Sequence, residues 1–223
     1  MFPSPQAAAM PFQHSCFISY RNHEQSQIAE RFIADLCEAL RNELALRIEE
    51  DLFVDREGLR AGALYNPALA RALCQSVCMI VVYTPTYFSK RHTYCAREYH
   101  AMETLEQKRL TRLQRQLDRE HGLIIPIVLR GEDVLPGAIR NTRHYYTFER
   151  FSLTSRSLAR NAAFEREIRN IAAAVHSRWQ MFAPIADAIT CDCDAFDLPS
   201  EADIQSWLDQ MIQPTSPFPF RAG

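Results

Sequence analysis

Five apolar runs of strand length occur along the chain and predict buried strands at 16–20, 52–55, 77–83, 123–130 and 145–148. Between these runs, apolar residues recur every three or four positions, as Ile28, Phe32, Leu36 and Leu40 do, which predicts amphipathic helices. Strands that are apolar along their whole length and alternate with helices are typical of a parallel sheet with helices on both faces. The pattern therefore predicts an α/β fold, a flavodoxin-like parallel sheet of five strands.

The helix predicted to contain Glu98 is followed at 105–122 by a stretch that exceeds the length of a minimal five-strand domain. Leu110, Leu113 and Leu117 follow one another at spacings of three and four residues, so this helix is expected to run on by several turns. Two interpretations of the leucine stripe remain open. It packs on its own domain as part of a solvated helix, or it forms a surface for a partner.

The last part of the chain differs in composition from the rest. No Lys or Arg stands between Arg178 and Arg221, while acidic residues accumulate there. Ser200 followed by Asp203 indicates the capped start of a short helix. Its predicted apolar stripe consists of Ile204, Trp207, Leu208 and Ile212.

These patterns divide the chain into a flexible lead-in at 1–13, an α/β domain at 14–178 and an acidic C-terminal extension at 179–223 with a short helix. The lead-in contains no Lys or Arg and therefore lacks the basic segment that begins a secretory signal. No run of about 18 apolar residues occurs, so no membrane span is expected. We expect a cytoplasmic protein that makes no membrane contact.

Charge and cysteine content exclude further classes of protein. The net charge of −2 and the pI near 6.4 give no electrostatic reason to expect nucleic acid as a partner. Seven cysteines occur, an odd number, and free buried thiols in a reducing cytosol explain them better than a disulfide framework. No metal site is expected, because the CDC sequence at 191–193 lacks the regular spacing of zinc ligands.

Motifs of several common nucleotide enzymes are missing from the sequence. No GxGxxG follows the first predicted strand, which argues against a dinucleotide held by a Rossmann turn. The sequence also lacks the GxxxxGK[ST] motif of P-loop proteins and a GxSxG nucleophile elbow after a strand. In a doubly wound sheet, ligands lie beyond the carboxyl ends of the strands, which directs attention to the segments after residues 20, 55, 83 and 130.

Three of these segments, read together, carry a family resemblance. The segments FISYRN, FVDREGLRAG and TPTYFSKRHTYCARE follow one another in the order found in the Toll/interleukin-1 receptor (TIR) domain, which the sequence resembles over about 14–178. FVDREGLRAG resembles the second box of the family and its BB loop. YCARE resembles the signature of enzymatic TIR domains, in which the Glu acts on NAD+. The position four residues before that Glu is commonly Trp, whereas this chain has Tyr94.

The resemblance implies an NAD+ glycohydrolase or ADP-ribosyl cyclase. Bacterial members of this kind act in antiviral defence, either by draining NAD+ or by making an ADP-ribose-derived messenger for a separate effector. The resemblance implies NAD+ as a substrate and no cofactor, and a homo-oligomer formed through the BB loop. One alternative is a non-catalytic adaptor that only assembles with other TIR domains, as members lacking the Glu do. A second alternative is a nucleotide-binding regulator with no turnover.

The resemblance also implies a set of site residues. Glu98 is the expected catalytic residue, with Tyr94 covering the ribose or base. Phe17 and Ser19 are expected to border the nicotinamide, although core packing explains Phe17 equally well. The predicted substrate-binding residues are Phe17, Ser19, Arg21, Asp55 and Tyr94. Within that set, Arg21 is expected to meet a phosphate or the adenine, and Asp55 to fix the BB loop by hydrogen bonds.

A single carboxylate is sufficient for this chemistry. Ordinary glycosidases use a second carboxylic acid to protonate the leaving group, but nicotinamide leaves NAD+ as a neutral molecule. Glu98 is therefore expected to hold ribose hydroxyls and to stabilise positive charge at the anomeric carbon. Because Cys95, Tyr99 and Met102 form the stripe that packs on the sheet, we expect Glu98 at the rim of this buried face.

Overall fold

The computed structural model describes residues 12–22, 26–54, 65–113, 122–152, 158, 160–182 and 192–212. Within these residues, five strands form one sheet: β1 (His14–Tyr20), β2 (Phe53–Val54), β3 (Ser76–Tyr83), β4 (Ile124–Val128) and β5 (Tyr146–Thr147). Six α-helices accompany them: α1 (Gln27–Leu44), α2 (Tyr65–Cys74), α3 (Tyr94–Leu113), α4 (Gly137–Arg140), α5 (Ala162–Phe182) and α6 (Glu201–Ile212).

The strands are all parallel and lie in the order β2-β1-β3-β4-β5. This is the flavodoxin-like order, so the predicted fold class is confirmed. In the register of β1 and β3, Ser19 lies opposite Val81 and Tyr20 opposite Val82. The strand order reverses between β1 and β3, and in such sheets this switch point is where a ligand binds.

Helices cover both faces of the sheet, as the apolar strands require. Every residue of β3 is buried, because α5 contacts this strand from one side while α2 and α3 contact it from the other. In α1 the predicted stripe of Phe32, Leu36 and Leu40 is buried, and the helix packs on α5. Ile28 departs from the prediction and is 40% exposed, since it lies in the first turn, before the helix meets the core.

Helix α3 extends fifteen residues beyond Glu98, to Leu113, as the leucine spacing predicted. Leu110 is partly buried against the core, which favours packing on its own domain for that residue. Leu117 lies outside the described residues, so a partner surface on this stripe stays a prediction.

Residues 192–212, called the C-terminal segment below, contain α6 and the stretch before it. The predicted cap is present: the backbone N–H of Ser200 donates to Asp203 Oδ2 at 2.9 Å, and that of Asp203 donates to Ser200 Oγ at 3.2 Å. Ile204 and Leu208 are buried as expected. The fourth stripe position was wrong, because Met211 is buried and Ile212 is exposed. The division of the chain into three parts stays a prediction.

The prediction that all cysteines are free was wrong for one pair. Cys74, at the end of α2, and Cys193, in the C-terminal segment, form a disulfide. Spacing along the chain could not indicate this bond, since 119 positions separate the two residues. The other described cysteines are buried and form no disulfide: Cys16, Cys37, Cys78 and Cys95. Burial raises the pKa of Cys78 to about 12, so this thiol is unreactive near neutral pH.

No helix among the described residues is long and apolar enough to cross a membrane.

Candidate active site

Three side chains from separate elements meet at the carboxyl ends of β1 and β3. Ser19, the penultimate residue of β1, donates a hydrogen bond from its hydroxyl to Oε2 of Glu98 on α3 at 2.6 Å. The hydroxyl of Tyr87, four residues past the end of β3, lies 2.6 Å from the same Ser19 Oγ. All three side chains are buried. This cluster lies at the switch point of the sheet, where the ligand of a doubly wound fold is expected.

The start of α3 places Glu98 in this cluster. After β3 the chain makes a turn closed by a bridge between Ser89 and His92, and the helix begins at Tyr94. Glu98 follows one helical turn later, on the side that faces the sheet. It is 2% exposed and therefore lies deeper than the rim position expected from the sequence. In this buried position the Ser19 hydroxyl supplies one polar partner for the carboxylate.

The neighbouring stripe on α3 packs as predicted. Cys95, Tyr99 and Met102 are all buried against the core. The Tyr99 ring meets Phe88 edge-on at 5.3 Å between ring centroids. This packing fixes the rotation of α3 about its axis and, with it, the direction of the Glu98 side chain.

The remaining predicted site residues take varied positions. Phe17 is fully buried and stacks on Phe53, with ring centroids 5.3 Å apart, a position that core packing alone explains. Arg21 is partly exposed, directly past the carboxyl end of β1. Tyr94 is 43% exposed, with the Arg97 guanidinium 5.4 Å from the centre of its ring.

The structure thus joins Ser19 to Glu98 directly and leaves Tyr94 on the surface at the start of the same helix. Asp55 and the BB loop lie outside the described residues. The role assigned to each of these residues in binding or catalysis stays a prediction.

Two residues at this end of the sheet, Tyr87 and Asn22, were not predicted as site residues from the sequence. Tyr87 lies in the segment TPTYFSKRHTYCARE, and its contact with Ser19 depends on the pairing of β1 with β3. Asn22, two residues past β1, has a buried side-chain oxygen that accepts no hydrogen bond within the structure described. An unsatisfied buried acceptor costs about 1–3 kcal/mol unless a water or a ligand supplies a donor. No local sequence signal distinguishes either residue from an ordinary turn residue.

The C-terminal segment packs beside the candidate site. Thr93 donates to Glu201 Oε1 at 2.7 Å, immediately before α3 begins. The Nε of Arg97 donates to the carbonyl of Pro199 at 2.5 Å. The Trp207 ring lies against Phe88 and Tyr99 at 5.8 Å from each ring centroid. These contacts brace the first turns of α3, which carry Tyr94 and Glu98.

A cavity of about 480 Å³ lies elsewhere, at the start of β4. Its lining includes Glu106, Gly122, Arg143, His144 and Arg178. Because Gly122 precedes β4, this cavity is at the amino ends of the strands, away from Glu98. No group of three or more His, Cys, Asp or Glu side chains suited to a metal ion occurs among the residues that the structure describes.

Residues 16–166 match the TIR domain family. The chain belongs to this family. No curated protein matches the chain. Among solved structures, it is similar to the TIR domains in the structure of the activated Roq1 resistosome directly recognizing the pathogen effector XopQ. The identity is 18%, the match covers 78% of this chain and 98% of that chain, and the TM-score is 0.37.

The region that matches the TIR domain family includes Ser19, Tyr87 and Glu98 and ends before the C-terminal segment. The resemblance found in the sequence is therefore confirmed. The contacts of Glu201, Pro199 and Trp207 with the site helix come from a part of the chain beyond that match.

Proposed function

We propose that this TIR protein cleaves the bond between nicotinamide and ribose in NAD+. It acts either as a glycohydrolase that drains NAD+ or as an ADP-ribosyl cyclase that makes an ADP-ribose-derived signal in antiviral defence. The observation that carries the proposal is the Glu98 carboxylate, buried and hydrogen-bonded to Ser19 at the switch point of the sheet. Burying a carboxylate is costly, and this position is where a ligand of such a fold binds.

The reaction requires little more than one oriented carboxylate. The nicotinamide nitrogen carries the positive charge of the bond that breaks, so the departing group needs no proton. Positive charge develops at the anomeric carbon of the ribose, and the Glu98 carboxylate is suited to stabilise it. The Ser19 hydroxyl fixes the position of Oε2, so that little reorganisation is needed as the charge forms. Water then attacks in the hydrolase, or a nucleophile of the substrate itself in the cyclase.

Other groups at this end of the sheet suit the rest of the substrate. The exposed ring of Tyr94 is available to cover the ribose or base. Arg21 follows β1 and is suited to a phosphate of the dinucleotide. The buried oxygen of Asn22 accepts no hydrogen bond from a described residue and suits an N–H or O–H donor of the ligand.

The test is NAD+ turnover by the purified full chain at high protein concentration, followed by mass spectrometry. We expect wild-type protein to release nicotinamide and Glu98→Gln to release about 10²–10³-fold less. Glu103→Gln is the matched control on the same helix. Its amide oxygen still accepts from Trp207 Nε1, which lies 3.2 Å from Glu103 Oε2 in the wild type, so its turnover should equal that of wild type.

The second product identifies the reaction. Free ADP-ribose indicates the hydrolase, and a product lighter by one water indicates the cyclase. Equal turnover by wild type and Glu98→Gln would remove Glu98 from the mechanism. Absence of nicotinamide from wild type, together with binding to other TIR domains, would favour the adaptor.

Self-association and location form part of the same proposal. We propose a homo-oligomer through the BB loop in the cytoplasm, where NAD+ is available, with any effector reached by a small-molecule messenger. Turnover per chain should then rise with protein concentration. Constant specific activity across a dilution series that converts the protein to monomer would contradict this arrangement.

A further inference from the structure

The hydroxyl of Tyr87 extends the hydrogen-bonded pair of Ser19 and Glu98 by one member. Ser19 Oγ lies 2.6 Å from Tyr87 Oη and 2.6 Å from Glu98 Oε2. A serine hydroxyl has one proton to donate and two lone pairs that accept. Because that proton is directed to the carboxylate, the bond between Ser19 and Tyr87 has the phenol as its donor. The chain of donors therefore runs from Tyr87 through Ser19 to Glu98.

Tyr87 is suited to remain a donor in this chain. Burial raises the pKa of its phenol well above the usual value, and the nearby Cys95 and Glu98 raise it further, while the bond to Ser19 acts in the opposite direction. The phenol therefore keeps its proton near neutral pH. With that proton it can donate to Ser19, which leaves the Ser19 proton for Glu98.

The ring of Tyr87 is held on several sides. It meets Phe88 edge-on, with centroids 4.9 Å apart, and Tyr83 at 6.4 Å. Its backbone N–H donates to the carbonyl of Thr84 at 2.9 Å. The side chain is fully buried. The phenol oxygen thus has one position available, and that position is the one that meets Ser19.

We propose that Tyr87 is a positioning residue for the reaction of Glu98. It fixes the Ser19 hydroxyl, and the Ser19 hydroxyl fixes the Glu98 carboxylate. In this proposal Tyr87 does not touch the substrate: its side chain is fully buried, and its hydroxyl is bonded to Ser19. This inference rests on the proposed function for its kinetic consequence, while its hydrogen-bond chain is testable without turnover.

The kinetic test is a double-mutant cycle of wild type, Tyr87→Phe, Ser19→Ala and the combined variant. We expect Tyr87→Phe to lower kcat about tenfold, the scale of one hydrogen bond in a charged network, with KM unchanged. Because Tyr87 acts only through Ser19, the combined variant should be no slower than Ser19→Ala alone. Tyr83→Phe is the matched control: the lost hydroxyl donates to the carbonyl of Val134 at 3.0 Å, outside the Ser19–Glu98 pair, so kcat should stay unchanged. Additive losses in the combined variant, or wild-type kcat in Tyr87→Phe, would overturn the proposal.

The second measurement follows tyrosine hydroxyl protons by NMR in protein with ¹³C-labelled tyrosine. We expect a slowly exchanging Tyr87 hydroxyl signal that moves in both Ser19→Ala and Glu98→Gln, while the Tyr83 signal stays in place. If the Tyr87 hydroxyl signal has the same chemical shift in Glu98→Gln as in wild type, the proposed chain of donors is wrong, whatever the kinetic result. If wild type releases no nicotinamide but the signal moves as expected, the proposed function fails and the Tyr87 to Glu98 chain stands.

Discussion

Helix α3 carries two glutamates, two turns apart, that make different kinds of contact: Glu98 is buried and Glu106 is partly buried. Glu98, near the start, accepts a hydrogen bond from the hydroxyl of Ser19. Glu106, further along, accepts from the backbone N–H groups of Leu123 and Ile124 and pairs with Arg143 Nη1 at 3.0 Å. These contacts of Glu106 are all made by Oε2, and they offset its negative charge. The hydroxyl of Ser19 directs an oxygen atom of Glu98 without adding positive charge.

The difference separates a carboxylate that ties elements of the fold together from one that lies where a ligand is expected. Glu106 ties α3 to the start of β4 and to Arg143, so its removal exposes two backbone donors and a cation at once. Glu98 lies at the switch point of the sheet and accepts a hydrogen bond from the Ser19 hydroxyl. In the proposed function, a carboxylate at this position stabilises charge on a bound molecule.

The largest expected effect is on the fold and concerns Glu106. Glu106→Ala should lower the free energy of unfolding by about 4 kcal/mol, because two backbone N–H groups each lose their acceptor at a cost of about 1–3 kcal/mol and Arg143 loses an ion-pair partner. Glu98→Gln should change it by less than about 1 kcal/mol, because the amide keeps an acceptor for Ser19. Urea denaturation of both variants measures the two values. Equal losses would mean that the two glutamates do not differ in role.

The next effect concerns the covalent bond that anchors the C-terminal segment beside Glu98. Cys193→Ser should lower the free energy of unfolding by about 3 kcal/mol under oxidising conditions, since the disulfide no longer restricts the unfolded chain. With reductant present, wild type and variant should unfold at the same urea concentration. A variant that is as stable as oxidised wild type would show that the bond adds nothing to the fold.

A smaller effect is expected from the contact between Trp207 and Glu103. Trp207→Phe keeps most of the packing against Phe88 and Tyr99 but loses the bond to the carboxylate, so we expect a loss of about 1 kcal/mol. Burial raises the pKa of Glu103, and the Trp207 bond opposes that rise, so the variant should raise this pKa further. A raised carboxyl pKa favours the folded state only while the group is protonated. The deficit of the variant should therefore grow as the pH rises through that pKa, and a deficit that shrinks with pH would contradict this account.

The smallest effect concerns the cap of α6. Ser200→Ala removes the acceptor for the N–H of Asp203 and should cost about 0.5–1 kcal/mol. If α6 braces the start of α3, hydrogen exchange of the amides around Tyr94 should quicken in this variant, while those around Glu106 should not. Faster exchange at both ends of α3 would show a general loss of stability instead.

Local pattern was sufficient for much of the fold. The apolar run of β3 and the periodicity of α1 predicted these elements closely. A strand buried on both faces is apolar throughout, whereas a helix buried on one face repeats apolar residues every three or four positions. The spacing of Ser200 and Asp203 predicted the start of α6 for a similar reason, since a cap is formed by residues close in sequence.

The candidate site was only partly predictable. The YCARE segment indicated Glu98, yet its partner Ser19 is 79 positions away, and their contact depends on how β1, β3 and α3 pack. The disulfide and the role of Glu106 escaped for the same reason, since neither Cys193 nor Glu106 differs locally from a solvent-exposed neighbour. Long-range pairs of this kind follow from the tertiary fold, and no single segment contains them.

The bond between Cys74 and Cys193 closes the segment between these two residues into a covalent ring, and the rest of the chain extends from the ring as two linear arms. Tyr87 and Glu98 lie inside the ring, whereas Ser19 lies on the arm before it. One backbone cut between 74 and 193 therefore leaves a single molecule that runs as one band in electrophoresis until a thiol reductant separates the pieces. A cut in the arm between Ser19 and Cys74 instead produces two molecules, and in them Ser19 reaches Glu98 by noncovalent contact alone.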